Sequence, residues 1–142
     1  MICPVCNKAA VVVEYKYVEL DYCPNCGGVW FDAGELELLM EAAGLGSHHG
    51  YLRDVASAPE VKTAEKKRRC PICLRKMKKS YIDEDMKILV DTCRIRHGIW
   101  FDGGEVGQLI KEIETKHPGK AASNGVLSYL GEMFQYHPHK KS

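Results

Sequence analysis

The sequence has no long apolar run and no catalytic constellation that stands out. None of its hydrophobic stretches approaches the ~20 consecutive residues of a membrane-spanning helix, and its first residues, MICPVCNKAA, lack the charged and apolar regions of a secretory signal. It contains no glycine loop of the phosphate-cradling kind and no serine, histidine and aspartate arrangement. These absences predict a cytoplasmic protein with no membrane contact, no small-molecule substrate and no enzymatic activity.

Net charge is almost absent as well, but the two signs are separated along the chain. The formal net charge is +1 over 142 residues. Residues 1–50 carry two basic and seven acidic side chains, a net charge of −5, whereas residues 62–79 carry nine basic and one acidic, a net charge of +8. Any binding to phosphates is therefore expected to involve the second half of the chain.

What the sequence does contain is an internal repeat. The motif Cys-Pro-x-Cys occurs at residues 3–6 and 70–73, and the motif Trp-Phe-Asp-x-Gly-Glu occurs at residues 30–35 and 100–105. Apolar residues with the spacing of one helix face follow each second motif. The chain is therefore predicted to be two copies of one small unit.

Each copy is predicted to form a cysteine knuckle, a β-hairpin, a second knuckle and a short helix. The hairpin strands are expected at about residues 10–15 and 17–22 in the first copy, and at about 76–83 and 87–92 in the second. The predicted fold class is a small, metal-dominated α+β protein: two tandem zinc ribbons, each an antiparallel β-hairpin plus a short helix, with an extra carboxy-terminal amphipathic helix. The expected boundaries are 1–44 for the first ribbon, 45–68 for a connector, 69–117 for the second ribbon, and 118–142 for the last helix and tail.

The end of each copy carries a helix-start signal. Asp32 and Asp102 are predicted to cap the helices, with Glu35 and Glu105 three residues further on. The tryptophan before each aspartate is expected to pack between hairpin and helix. Units this small need bound metal to supply part of their folding free energy.

The first metal site is predicted from two Cys-x-x-Cys pairs separated by sixteen residues. Four thiolates in a tetrahedron suit zinc and leave no open coordination position. Iron in a rubredoxin-like site is the alternative for this copy. The ligands are Cys3, Cys6, Cys23 and Cys26.

The second site replaces the last cysteine by histidine. Arg96 takes the place of the fourth cysteine and cannot ligate, but His97 beside it can. Seven cysteines and one histidine then give eight ligands for two zinc ions. The alternative is a three-thiolate site with water or an external ligand in fourth place. The predicted ligands are Cys70, Cys73, Cys93 and His97.

The segment Cys-Pro-Asn-Cys-Gly-Gly-Val-Trp-Phe-Asp at residues 23–32 closely resembles the prokaryotic zinc-ribbon family called transcription-factor-IIB-type zinc fingers. The first copy is similar to that family from residue 2 to about 43, and the second from about 69 to 113 except at Arg96 and His97. The resemblance implies a small antiparallel ribbon with structural zinc. It leaves function open, because ribbons serve as nucleic-acid binders, docking modules and enzyme appendages alike.

Two non-catalytic functions therefore remain. The first is a protein-interaction or scaffold module that binds an unknown protein or a second copy through hairpin edges or the last helix. The second is nucleic-acid binding related to transcription. Its expected phosphate contacts are Lys66, Lys67, Arg68, Arg69, Arg75, Lys76, Lys78, Lys79, Arg94 and Arg96.

Overall fold

The computed structural model describes residues 1–15, 18–36, 38, 58–82 and 88–116. The predicted carboxy-terminal helix and residues 45–57 of the predicted connector lie outside the described residues. We refer to residues 1–38 as the first unit and to residues 58–116 as the second unit.

The described residues form one antiparallel sheet of six strands in the order β1-β2-β3-β6-β5-β4. This order is symmetric about the β3–β6 pair, as expected for two copies of one unit placed edge to edge. One helix, α1, follows the last strand. The bounds are β1 Val11–Tyr15, β2 Val18–Tyr22, β3 Val29–Asp32, β4 Lys78–Tyr81, β5 Leu89–Thr92, β6 Gly98–Phe101 and α1 Glu105–Lys116.

Both predicted hairpins are confirmed. Strand β1 pairs with β2 from Val11 opposite Tyr22 to Tyr15 opposite Val18. Strand β4 pairs with β5 from Lys78 opposite Thr92 to Tyr81 opposite Leu89, which is shorter than the sequence predicts. The strands are rich in β-branched and aromatic residues, which favour the pleated conformation.

Each unit also has a third strand, which the prediction of a hairpin plus a helix missed. Strand β3 pairs with β2 inside its unit and with β6 of the other unit. Trp30 lies directly opposite Trp100, with Val29 opposite Phe101 and Phe31 opposite Ile99. The two units therefore share one sheet through eight backbone-paired residues.

The tryptophans were predicted to pack between hairpin and helix, and this is wrong. Trp30 and Trp100 are fully buried in one cluster with Met77 and four buried ligand cysteines. A Cβ atom on Gly28 would overlap the Trp100 ring, and one on Gly98 would lie 2.6 Å from Cζ2 of Trp30. Each indole therefore lies against a glycine of the other unit. In each unit the glycine lies two residues before that unit's own tryptophan, and it leaves the space that the tryptophan ring of the other unit fills.

The packing of each tryptophan ring against a glycine of the other unit, which we call the interlock, predicts the effect of adding a methyl group at such a glycine. Gly28→Ala is expected to lower the free energy of unfolding by roughly 2–3 kcal/mol, because the neighbouring ring is itself held in a packed core. Gly34→Ala is the control: its φ is +88°, but nothing lies within 4 Å of the added atom. The control is expected to cost only ~1 kcal/mol of conformational strain. Equal losses in denaturant titrations of the zinc-loaded proteins would contradict the interlock.

The opposite face of the sheet carries a second apolar layer. Successive side chains of a strand point to opposite faces, so Phe31 and Phe101 lie away from the tryptophans. Their rings contact edge to face, with centroids 5.3 Å apart. Leu36, Val106 and Leu109 are buried near the starts of the two helical segments, as the apolar spacing predicts for residues that cover this face.

The two helix starts differ in detail. The Asp102 amide donates a hydrogen bond to Oε1 of Glu105 at 2.7 Å, which is half of the predicted capping box. In the first unit Glu35 instead accepts a hydrogen bond from the Glu19 amide at 3.2 Å. The two aspartates predicted as caps share another contact: Asp32 and Asp102 each accept the indole N–H of the tryptophan two residues earlier at 2.8 Å. They therefore fix the orientation of the interlocked rings.

Candidate metal centres

The four cysteines of the first unit meet at one point. Their Sγ atoms lie within 4.8 Å of one another, and the closest cross-pairs are Cys3–Cys26 at 3.6 Å and Cys6–Cys23 at 3.4 Å. A zinc tetrahedron with Zn–S bonds of ~2.3 Å has sulfur–sulfur edges of about 3.8 Å. The observed spacing therefore fits a four-coordinate ion at the centre of the cluster.

Tight turns place these cysteines. The Asn7 amide donates to the Cys3 carbonyl at 3.0 Å, and the Gly27 amide donates to the Cys23 carbonyl at 2.8 Å. Asn7 and Gly27 both have positive φ, +62° and +81°, which asparagine and glycine tolerate best. Inside the first turn, the Val5 amide points at the Cys3 sulfur, 3.3 Å away. Such N–H groups stabilise a thiolate.

The second cluster contains the predicted histidine. The ligand atoms of Cys70, Cys73, Cys93 and His97 also lie within 4.8 Å of one another. His97 presents Nδ1, which lies 3.5 Å from Cys93 Sγ and 3.8 Å from Cys70 Sγ, and Cys73 Sγ lies 3.8 Å from Cys93 Sγ. The geometry therefore brings the imidazole to the fourth vertex of the tetrahedron.

The histidine turn is built differently from the cysteine turn. Arg96 has a φ of +68°, and its amide donates to the Cys93 carbonyl at 3.1 Å. In the first unit the left-handed residue, Gly27, comes after the last ligand, whereas here Arg96 comes before it. One extra residue and an earlier turn thus compensate for the longer reach of an imidazole.

The thiols themselves point to a cation. Burial raises the pKa of Cys3, and it raises the pKa of Cys70 to about 11. In contrast, a hydrogen bond from the Asn25 side chain lowers the pKa of Cys6 to about 6, and the Arg75 amide lowers that of Cys73 to about 7. The thiols gathered in one cluster cannot all ionise without a positive ion among them, and a bound metal ion supplies that charge.

The chain has two zinc sites, one with four cysteines and one with three cysteines and a histidine. Each donor set is soft, tetrahedral and complete, which is the pattern of structural zinc. When bound, the metal provides the cross-link that holds the two knuckles of a unit together. Asn25, which the sequence analysis did not select, supports the first site by bonding to Cys6; its only sequence signal is its position inside a knuckle.

Residues 2–42 match the family model described as transcription factor zinc-finger, of the zinc-ribbon TFIIB type. The match covers the first unit, and the second cluster, residues 70–97, is supported by its own geometry. No curated protein and no solved structure matches the chain. Within the described part of the chain, no helix has the length and apolar character needed to cross a bilayer.

The predicted phosphate contacts do not form one continuous exposed set. Seven of them are exposed, whereas Arg68 and Lys78 are half-buried and Lys79 is buried. The prediction that Lys79 contacts phosphates is wrong, because its ammonium group is enclosed by protein. The exposed members are Lys66, Lys67, Arg69, Arg75, Lys76, Arg94 and Arg96.

Glu60 neutralises part of this charge. Its carboxylate accepts Lys67 Nζ at 3.0 Å and Arg94 Nη2 at 2.9 Å. The two cations lower the pKa of Glu60. Glu60 belongs to the predicted connector, and no sequence signal singled it out. Glu60 thus pairs with one basic residue of the predicted connector, Lys67, and with one of the predicted second ribbon, Arg94.

Lys79 lies in a buried ion pair instead. Its Nζ lies 3.0 Å from Oδ1 of Asp91, its cross-strand neighbour, and 3.3 Å from Glu65. Burial by itself would lower the pKa of Lys79, but its hydrogen bond and attraction to Asp91 leave that pKa raised. Burial also raises the pKa of Asp91 to about 6, against the pull of Lys79. The ammonium group of Lys79 therefore favours the ionised form of Asp91 and opposes the effect of burial.

Proposed function

We propose that the chain is a cytoplasmic, non-catalytic scaffold of two tandem zinc ribbons that docks a protein partner. Complete four-ligand coordination at both clusters supports a structural role for the zinc, because no position is left for a reacting water or substrate. The shared sheet supports a rigid platform, because the two units are joined by backbone pairing rather than by a linker alone.

The observation that carries docking is a group of exposed aliphatic side chains beside the second zinc site. Ile72, Leu74 and Ile95 are exposed on the two knuckles that meet at this site. Exposed apolar residues gathered at one end of a rigid unit are typical of interaction sites. The knuckles are held by metal, so they can present such side chains without losing their conformation.

Nucleic-acid binding is the second candidate. It is favoured by five exposed cations in residues 69–76 and 93–97, two segments that contain no acidic residue. Weighing against it, Lys79 is enclosed, and Glu60 holds both Lys67 and Arg94. The basic segment 62–79 is therefore partly satisfied within the protein, and its net charge overstates what phosphates would meet.

A capture experiment from extract of the native cell separates the two functions. The immobilised zinc-loaded chain is expected to retain a protein partner after nuclease treatment. The salt dependence is expected to be shallower than that of phosphate binding, which weakens by several orders of magnitude between low and moderate salt. Loss of all captured material on nuclease treatment, together with a steep salt dependence, would replace docking by nucleic-acid binding.

A further inference from the structure

The knuckles of the two units differ in what they expose. The second unit carries Leu74 and Ile95 where the first unit carries Asn7 and Asn25, each the same number of residues after the corresponding cysteine. The exposed fractions of Ile72, Leu74 and Ile95 are 52%, 65% and 50%. The fold of a knuckle thus does not require apolar residues here, since the first unit does without two of them.

Leu74 is the most informative of the three. Its φ is +64°, close to the +62° of Asn7 at the equivalent position. Asparagine tolerates this left-handed conformation, whereas a leucine rarely adopts it. Leucine is therefore unfavourable here both for the backbone and for its contact with water. A benefit outside folding, such as burial by a partner, would compensate for both.

Positive charge surrounds these side chains. Both segments that carry them also carry exposed basic residues and no acidic ones. Glu60, from outside these segments, pairs with Arg94 and offsets one of these charges. We call the whole set the knuckle surface, and it comprises Ile72, Leu74, Ile95, Arg75, Lys76, Arg94 and Arg96. A complementary partner must combine apolar side chains with negative charge.

We propose that the knuckle surface docks an acidic protein segment that also carries apolar side chains. This inference rests on the proposed docking function and names the partner's chemistry. Residues 69–76 and 93–97 contain no Phe, Tyr or Trp, and His97 belongs to the metal cluster, so the surface lacks the large aromatic platforms on which unpaired bases are bound. Aliphatic side chains with a cationic rim suit a protein segment better than a single-stranded nucleic acid.

The test uses the zinc-loaded full chain and defined probes. A short peptide in which Glu alternates with Leu is titrated while backbone amide NMR shifts are recorded. Saturable shifts are expected in residues 72–75 and 94–96, with a Kd below about 1 mM. The matched peptide with Lys in place of Glu is expected to bind at least about tenfold more weakly because it meets like charge.

Two leucine variants separate docking from folding. Leu74→Asn copies the first unit, so the variant is expected to keep two zinc ions and an unchanged or higher unfolding midpoint. Its affinity for the acidic peptide is expected to fall at least about fivefold. Leu38→Asn is the matched control, an exposed leucine of the first unit that is 40% exposed. This control is expected to bind the peptide as the parent does.

Each other outcome overturns the inference in a distinguishable way. Absent shifts, or shifts confined to the first unit, would reject the partner chemistry while leaving protein capture by the chain intact. Tighter binding of an oligouridine than of the peptide would reject docking in favour of nucleic acid. Concentration-dependent shifts without any peptide, linking the knuckle surface to the acidic first unit, would make a second copy of the chain the partner. Destabilisation by Leu74→Asn would show that the leucine serves folding.

Discussion

His97→Ala is expected to leave one zinc ion per chain. The variant keeps three thiolates at the second cluster, with water as the only replacement for Nδ1, and its affinity for that zinc is expected to fall by more than about 100-fold. Even the loss of a partner that only orients a ligand costs 10–100-fold. The four ligands of the first cluster lie in residues 3–26, so its zinc should survive gel filtration and competition with a chelator.

Loss of the second zinc is also expected to weaken the first unit. The His97 carbonyl accepts the Ala33 amide at 3.0 Å, just before the helical turn of the first unit. Trp100 fills the space over Gly28. Structural zinc contributes on the order of 10 kcal/mol to the folding of such units, so β4 and β5 should lose their pairing. The first unit then keeps its zinc but unfolds at a lower denaturant concentration than in the parent.

Two variants control for changes at the same turn. His97→Cys is expected to retain two zinc ions, because a thiolate can replace the imidazole as the fourth ligand. Arg96→Gly is expected to do the same, because arginine is no ligand and glycine accepts the positive φ. Zinc content after gel filtration is the measurement. Two tightly held ions in His97→Ala would mean that another group fills the fourth position.

The ligands could be predicted from sequence because metal binding imposes strict local spacing. Cys-x-x-Cys is a turn of fixed geometry, and the repeat supplied the register that identified His97 where Arg96 replaces a cysteine. The hairpins could be predicted for the same local reason, from the alternation of apolar and polar residues in the strands and from the turn residues between them. These features depend on neighbours a few residues away, which the sequence shows directly.

The joining of the two units could not be predicted because it depends on a contact between copies. Strand β3 is four residues long and reads Val-Trp-Phe-Asp, too short for alternation to separate a strand from the approach to a helix. Its central residues are buried on both faces, because Trp30 lies in the cluster with the ligand cysteines and Phe31 packs against Phe101. No local pattern states that Trp30 will meet Trp100 across a sheet. The space left by Gly28 and Gly98 is visible only once the partner ring is in place.

The burial of Lys79 escaped prediction for a related reason. In the first unit Asp21 is paired with Val12, which is 64% exposed, whereas in the second unit Asp91 is paired with Lys79. What encloses the lysine is the connector: the Val61 amide donates to the Lys79 carbonyl at 2.8 Å. A run of basic residues predicts an exposed surface, and only the position of the segment that packs over Lys79 shows that this residue is buried.

Lys79→Ala is expected to destabilise the second unit by about 3–5 kcal/mol. The side chains of Lys79 and Asp91 are 2% and 1% exposed, so removal of the ammonium leaves a carboxylate buried without its partner. Glu65, which is half-exposed, can turn to solvent and contributes little. Denaturant titration of the zinc-loaded protein measures the loss, and Lys76→Ala, an exposed lysine beside the same hairpin, should change stability by less than about 0.5 kcal/mol.

The sign of the pH dependence distinguishes the loss of the pair from the loss of packing. Burial raises the pKa of Asp91 to about 6 even beside Lys79, and without the ammonium it should rise further. When folding raises the pKa of a carboxyl group, the folded state loses stability as the pH increases from the pKa of the unfolded state to the pKa of the folded state. The difference in stability between Lys79→Ala and the parent should therefore grow from pH 6 to pH 8, while zinc release affects both proteins alike.

A double replacement, Lys79→Met with Asp91→Leu, removes both charges. It should restore most of the stability and abolish the added pH dependence, because an apolar pair of similar volume carries no uncompensated charge. A constant difference between pH 6 and pH 8, unchanged by the double replacement, would assign the cost to a cavity rather than to the stranded carboxylate.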